Sequence, residues 1–215
     1  MLKANGLNAE VIPKDHKTEQ RILDAAKIVF YRKGLSGARM HEIADAAGIN
    51  KAMLNYYFRS KDKLFEAVFR DGVQKIFPVI RTIISSDLPL FEKIETFADT
   101  YISVLTQNPY LPGFILNEVN NNPERLMEVF LGNVMEMDVY KKFSLQVETA
   151  VKEGIIKPTD PKQLIVNLMS MCIFPFAAKP VIKVLINLDE ENYSSFLEKR
   201  KKEIPLFIIN AIKVN

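Results

Sequence analysis

The chain has little of what most enzyme sites are built from. A single cysteine, Cys172, excludes a disulfide framework and any multi-cysteine metal site, and it suits a reducing cytoplasm. The two histidines, His16 and His41, stand near the N-terminus, and neither is grouped with Cys or carboxylates at metal-ligand spacing. No glycine-rich phosphate loop and no nucleophile elbow is present. No enzymatic activity, metal or cofactor is therefore expected. Long apolar runs are also missing. The longest charge-free stretch of the latter half, 163–178, has 16 residues and includes Asn167 and Ser170. That is short for a membrane span and long enough for a buried helix. Residues 1–12 lack the apolar core of a secretory leader. Glycine occurs only 8 times in 215 residues, whereas Leu, Ile, Lys, Glu, Ala and Met dominate, so an all-α fold is expected.

Hydrophobic residues make up 48% of the chain, enough for a sizeable core. The net charge of +3 divides unevenly. Residues 1–63 hold 12 Lys and Arg against 7 Asp and Glu, and residues 64–215 hold 17 against 19. A basic N-terminal part and a mildly acidic remainder are what a protein shows when only one end meets phosphate.

The chain is organised around residues 34–64. Met40, Ile43, Ala44 and Ala47 share one face at helical spacing. Gly48 can supply the strained backbone of a sharp turn, and Asn50 is a good N-cap for a second helix, expected over 51–58. That helix buries Leu54 and Phe58 and turns Lys51, Asn55 and Tyr56 elsewhere. Helix, short glycine turn and helix is the geometry that lays a second helix in the DNA major groove. Asn50, Lys51, Ala52 and Met53 would begin that recognition helix, where base edges are met. Lys51 can donate to guanine or to phosphate, Asn55 can pair with adenine, and Tyr56 can reach a thymine methyl or a phosphate. Arg39 and His41, at the start of the preceding helix, are further phosphate candidates.

Gly34, Ile43-Ala44, Ala47-Gly48-Ile49, Lys51, Leu54, Tyr57-Phe58, Ser60-Lys61-Asp62 and Leu64 stand in register with the N-terminal signature of the TetR family of transcriptional regulators, which this stretch resembles. Ala38-Arg39 stands where that family usually has Thr or Ser. The resemblance implies that Tyr57 and Lys61 grip the DNA backbone. It also implies a homodimer on a palindromic operator, and a C-terminal domain that binds a small molecule and releases a repressor from DNA.

The expected organisation is a flexible arm over 1–17, a helix-turn-helix domain over 18–63 and a helical ligand-binding and dimerisation domain over 64–215, with about nine helices. Thr18 is the expected cap of the first helix, and Gly34 its end. A long helix from Ser60 carries Pro78 inside it. Further helices are expected near 90–106, 114–119, 122–153, 164–178 and 190–213. Tyr101, Phe114, Asn117, Glu118, Phe143, Asn167 and Met171 are the candidates for lining a ligand pocket. The last two helices are apolar over broad faces, and a helix apolar all round must be covered. Phe174, Phe196, Ile204, Phe207, Ile208 and Ala211 are the candidates for a dimer contact. The rival reading is a helical ligand-binding or scaffolding protein whose helix-turn-helix only contacts other protein.

Overall fold

The computed structural model describes residues 15–125 and 136–214, so most of the expected N-terminal arm and residues 126–135 of the helix expected over 122–153 lie outside the described residues. Among the described residues the regular elements are ten helices, and the β-bridge between Ile156 and Lys213 is isolated. The chain divides into two compact units, Met1–Val68 and Phe69–Asn215.

The first unit holds α1 (His16–Gly37), α2 (Met40–Ala46), α3 (Lys51–Tyr57) and the opening turns of α4 (Lys61–Ile84). Asp15, not Thr18, caps α1. Its carboxylate accepts the Lys17 and Thr18 amides, each at 3.1 Å, and the Thr18 hydroxyl at 2.9 Å. Two residues three apart can both serve as a cap, and the one that ends up outside the helix takes the role. Within α1 the helix breaks at Gly34, whose φ of +64° is the left-handed conformation glycine reaches without strain. The core of this unit is Ile22, Ala26, Phe30, Ile43, Leu54, Leu64 and Phe65, with Phe65 packed edge-on against Phe30 at 5.0 Å between ring centroids. The first turn of α4 thus reaches into this core beyond the boundary expected at residue 63.

The second unit holds the rest of α4 with α5 (Leu90–Gln107), α6 (Leu111–Asn121), α7 (Glu136–Lys152), α8 (Pro161–Ala177), α9 (Lys179–Leu185) and α10 (Glu190–Ile212). Helix α5 is its centre, burying Ile94, Phe97, Ala98, Tyr101, Ile102 and Leu105 against α10, α8 and α7. Helix α4 continues through Pro78. The ring removes the N–H that would meet the Gln74 carbonyl, and both residues face water, which can take over that bond. No single described helix is long and apolar enough to cross a membrane; α8 and α9 would pass together but meet at a bend of 83°.

Two side chains in this unit do work the backbone leaves undone. Lys93 is only 1% exposed, and its ammonium donates to the carbonyls of Ile84 at 3.0 Å and Ser86 at 2.9 Å and to Gln146 Oε1. It therefore closes the C-terminal end of α4, where carbonyls have no helical donor. Gln146 in turn donates to the Leu88 carbonyl at 2.8 Å, which ties the α4–α5 turn to α7. Burial, and then the charge of Lys142, push the Lys93 pKa below the ordinary lysine value. Arg200 performs the second task. Pro175 deprives the Met171 carbonyl of its donor four residues on, and Arg200 Nη2 from α10 fills the vacancy at 3.0 Å. The Tyr193 hydroxyl donates to the Pro175 carbonyl in the same crossing.

Lys93→Met should lower the unfolding free energy by about 2 kcal/mol, because one buried and two partly buried acceptors lose a charged donor together. Pairing it with Gln146→Leu should cost less than the two single changes added, since the pair share one network. Urea denaturation of the four proteins measures both effects.

Candidate nucleic-acid interface

The turn between α2 and α3 is set by backbone and cap. Ala47 ends α2, Gly48 adopts φ +63°, and the amides of Gly48 and Ile49 return to the carbonyls of Asp45 at 3.1 Å and Ala44 at 3.0 Å. Asn50 then caps α3, its side chain accepting the Met53 amide at 2.8 Å. Helix α2 has no such help. Arg39 holds its N-cap position with no side-chain hydrogen bond, as expected where Thr or Ser is replaced.

The two sides of α3 are distinct. Leu54 is completely buried, and Tyr57 and Phe58 are buried beside it. Lys51, Ala52, Met53, Asn55 and Tyr56 are exposed, with Met53 and Tyr56 each 43% accessible. Arg39, His41 and Asn50 are exposed as well. One face thus gathers a cation, an amide able to donate and accept, an aromatic ring and a thioether.

Tyr57 and Lys61 sit differently from the other candidates. The Tyr57 ring belongs to the core, packing edge-on to Tyr56 at 5.5 Å, and its hydroxyl accepts the Asp15 amide at 3.0 Å. The first task of Tyr57 is therefore to hold the start of α1 to the end of α3. Lys61 is partly buried and donates to the Ala38 carbonyl at 3.3 Å, bracing the junction that precedes α2. An ion pair between Lys33 and Glu42 at 2.8 Å joins α1 to α2 on the outside.

In the second unit the candidates chosen by residue type scatter. Tyr101 and Phe143 lie in the core, and Phe114 is buried against Phe69 at 6.1 Å between centroids. Glu118 is buried and bonded to Arg125 at 3.0 Å and to Asn122 at 2.9 Å. Asn117 and Asn167 are exposed, and Met171 lines a small groove beside Arg200. These residues do not converge on one pocket, because aromatic and acidic side chains at helical spacing were taken up by packing and by local ion pairs. An apolar cleft of about 160 Å³ lies elsewhere, between α4 (Phe77, Ile80, Arg81, Ile84), α7 (Val139, Tyr140) and α8 (Ile165, Met169). Its α4 side follows the 77, 80, 81, 84 spacing of one helix face, which is visible in the sequence but indistinguishable there from core. Of the dimer candidates, Ile204 and Ile208 are used by the unit's own core, and Phe196 is partly covered. Phe174, Phe207 and Ala211 point outward, together with Val166 and Leu206.

With this geometry established, comparison with known proteins is specific. Residues 22–68, the core of the first unit, match the family "Bacterial regulatory proteins, tetR family". The chain belongs to the TetR family. It is similar to "Probable HTH-type transcriptional regulator YttP" of Bacillus subtilis, at 26% identity over 91% of this chain and 94% of that one. It is similar also to the regulator RutR of Escherichia coli K12, at 27% identity over 76% and 74% of the two chains. Solved structures with the same fold include the hemolysin II regulator HlyIIR (TM-score 0.57, 19% identity, 93% and 98% covered) and the TetR-family regulator PfmR of Thermus thermophilus (TM-score 0.58, 18% identity, 73% and 84% covered). As a TetR-family transcriptional regulator, the protein carries its helix-turn-helix in α2 and α3.

Asn50→Ala should destabilise the first unit by about 1 kcal/mol through loss of the α3 cap. Tyr57→Phe should do so by a similar amount, about 1 kcal/mol, because the Asp15 amide loses its acceptor. Amide exchange distinguishes the two: the first speeds exchange at Met53, the second at Asp15.

Proposed function

We propose that this TetR-family regulator is a repressor that binds a palindromic operator as a homodimer and leaves it when a small molecule occupies the second unit. The observation that carries the reading is the outward side of α3. Lys51 and Asn55 are exposed and make no hydrogen bond or ion pair among the described residues, on a helix whose inner side is fixed by Leu54. Asn55 has the donor and acceptor that match adenine, Lys51 suits guanine or phosphate, and Ala52, Met53 and Tyr56 offer apolar contact to thymine methyls. Arg39, His41 and Lys61 flank this face as phosphate contacts, with the α4 N-terminus adding backbone N–H groups.

Two copies are needed because one such reader binds weakly and palindromic sites repeat at about 34–36 Å. Support for pairing comes from α8 and α10. Phe174 is 53% exposed and Phe207 65%, and with Val166 and Leu206 they leave large apolar side chains uncovered on the second unit. A two-fold axis through this surface would cover the same patch on both copies. An effector then acts by favouring a dimer geometry in which the reading heads are mis-spaced, to the extent of its differential affinity for the two states. The domain assignment follows: 18–63 with the start of α4 for reading, and the remainder for pairing and ligand.

Selection of bound duplexes from a random pool should return inverted repeats. Asn55→Ala should lose preference at one base pair per half-site, by about 1–3 kcal/mol, with binding to random DNA unchanged. Lys61→Ala should weaken all sequences alike and flatten the salt dependence. Phe174→Asp with Phe207→Asp should give monomers that no longer hold the selected site. A protein without affinity for random duplex at low salt would belong to the scaffolding class instead.

A further inference from the structure

We infer that the cleft between α4, α7 and α8 binds a small carboxylate, one aromatic ring or a short aliphatic chain in size, with its anion on Arg81. The assignment rests on the effector-controlled reading above and gives that effector a chemical class.

Arg81 is partly buried at the wall of an apolar cleft, and among the described residues its side chain has neither a hydrogen bond nor an ion pair. The other unit-two arginines are engaged: Arg125 with Glu118 at 3.0 Å, Arg200 with the Met171 carbonyl at 3.0 Å, and Arg70 in further contacts. A basic residue in the last turn of α4 is favoured by the partial charge of the helix end. That preference accounts for a cation at this position but not for its standing among Phe77, Ile80, Ile165 and Met169. The buried side-chain nitrogens without a partner among the described residues belong to Arg125 and Arg200, so the Arg81 guanidinium keeps access to water and stands unpaired at the mouth of the cleft, where an anion can take its two hydrogen bonds while an apolar body enters behind it. No carboxylate lines the cleft among the described residues.

The shape of the anion follows from the guanidinium and the walls. Arginine's planar fork matches a carboxylate through two parallel hydrogen bonds. Tyr140, on α7, contributes the hydroxyl of the lining, and apart from it and Arg81 every described lining residue is apolar. The ligand therefore has one charged end and an otherwise apolar body. Volume sets its size. The cleft encloses about 160 Å³, and an apolar cavity of about 150 Å³ accommodates benzene. A single ring or a chain of comparable bulk fills the cleft, and the surplus of a longer chain is left in solvent outside it.

Calorimetric titration of the purified full-length protein, without DNA, tests this with benzoate and hexanoate, their neutral amides, and the longer decanoate. Benzoate or hexanoate should bind once per chain and more tightly than its amide, with decanoate no tighter than hexanoate. Arg81→Gln should weaken carboxylate binding by about ten- to a hundredfold, the range for a hydrogen bond to a charged group, and leave the amides unchanged. Ile165→Trp, which fills the cleft, should abolish both. Absence of carboxylate binding at millimolar concentration, equal binding of acid and amide, or indifference to Arg81→Gln would each overturn the assignment; thermal unfolding of each variant shows that it is folded. An operator-release assay separates this result from the reading beneath it. Carboxylates that bind through Arg81 yet release no DNA would overturn effector control and leave the site standing. Release by a molecule indifferent to both substitutions would preserve effector control and overturn the site.

Discussion

Everything depends on α3 being held by one side. At seven residues it is too short to persist in water, where isolated helices below about 12–15 residues are marginal. Its existence is a tertiary effect. Leu54 is fully buried, Tyr57 ties it to the start of α1, Asn50 closes its N-terminus, and Gly48 sets the angle of entry. These constraints use every inward position and leave Lys51, Asn55 and Tyr56 on the other side with a fixed direction. A polar face on a pre-oriented helix loses little entropy on docking, which is how so small an element can read another molecule.

The second unit obeys the same logic with the polarity reversed. Its interior is secured by α5 and by polar side chains that repair backbone defects: Lys93 at the end of α4 and Arg200 at the Pro175 break. Both repairs lie inside the unit, so the helices they join cannot easily shift singly. What remains outward on α8 and α10 is apolar, with Phe174 and Phe207 unsupported by neighbours of their own chain to a large degree. A soluble chain tolerates scattered exposed hydrophobes, but a group of large ones on two long helices is a surface that association would stabilise.

The first unit was largely legible in the sequence, and the reason is physical. Local signals decide it: helical periodicity at 40–47, a glycine at a position needing positive φ, an asparagine cap, a second cap at Ser60. Asp15 and Thr18 offer equivalent cap chemistry for α1, and only the chain's path chooses Asp15. Helix α9 is not legible, since its seven residues open on Lys179-Pro180, which reads as a breaker, although proline in the first turn is compatible with a helix. The second unit's functional surfaces were poorly legible. Helix α10 is apolar on two sides, so Ile204 and Ile208, which the core consumes, look in sequence like Phe207 and Ala211, which it does not. Tyr101, Phe114 and Phe143 have the residue types of a pocket, yet packing takes them all. Arg81 has no special sequence context at all. Its meaning lies in having no hydrogen-bond or ion-pair partner among the described residues, which is a property of three helices together.

The chemistry of the exposed α3 face weighs against the scaffolding alternative. A surface that binds protein gains most by burying apolar area, and its central residues are depleted of charge. Here Lys51 and Asn55 occupy the outward positions with no described partner, and Arg39 and His41 lie exposed at the start of α2. Burying these groups against an apolar partner would leave cations and an amide without hydrogen bonds, at about 1–3 kcal/mol for each neutral group and more for each charge. Against duplex DNA the same groups meet phosphate oxygens and base edges, which accept from cations and both accept from and donate to an amide. Met53 and Tyr56 add apolar surface that a thymine methyl can cover. The face is unfavourable for one class of partner and complementary to the other, and the balance of those two terms is what favours the proposed reading of DNA over a protein contact.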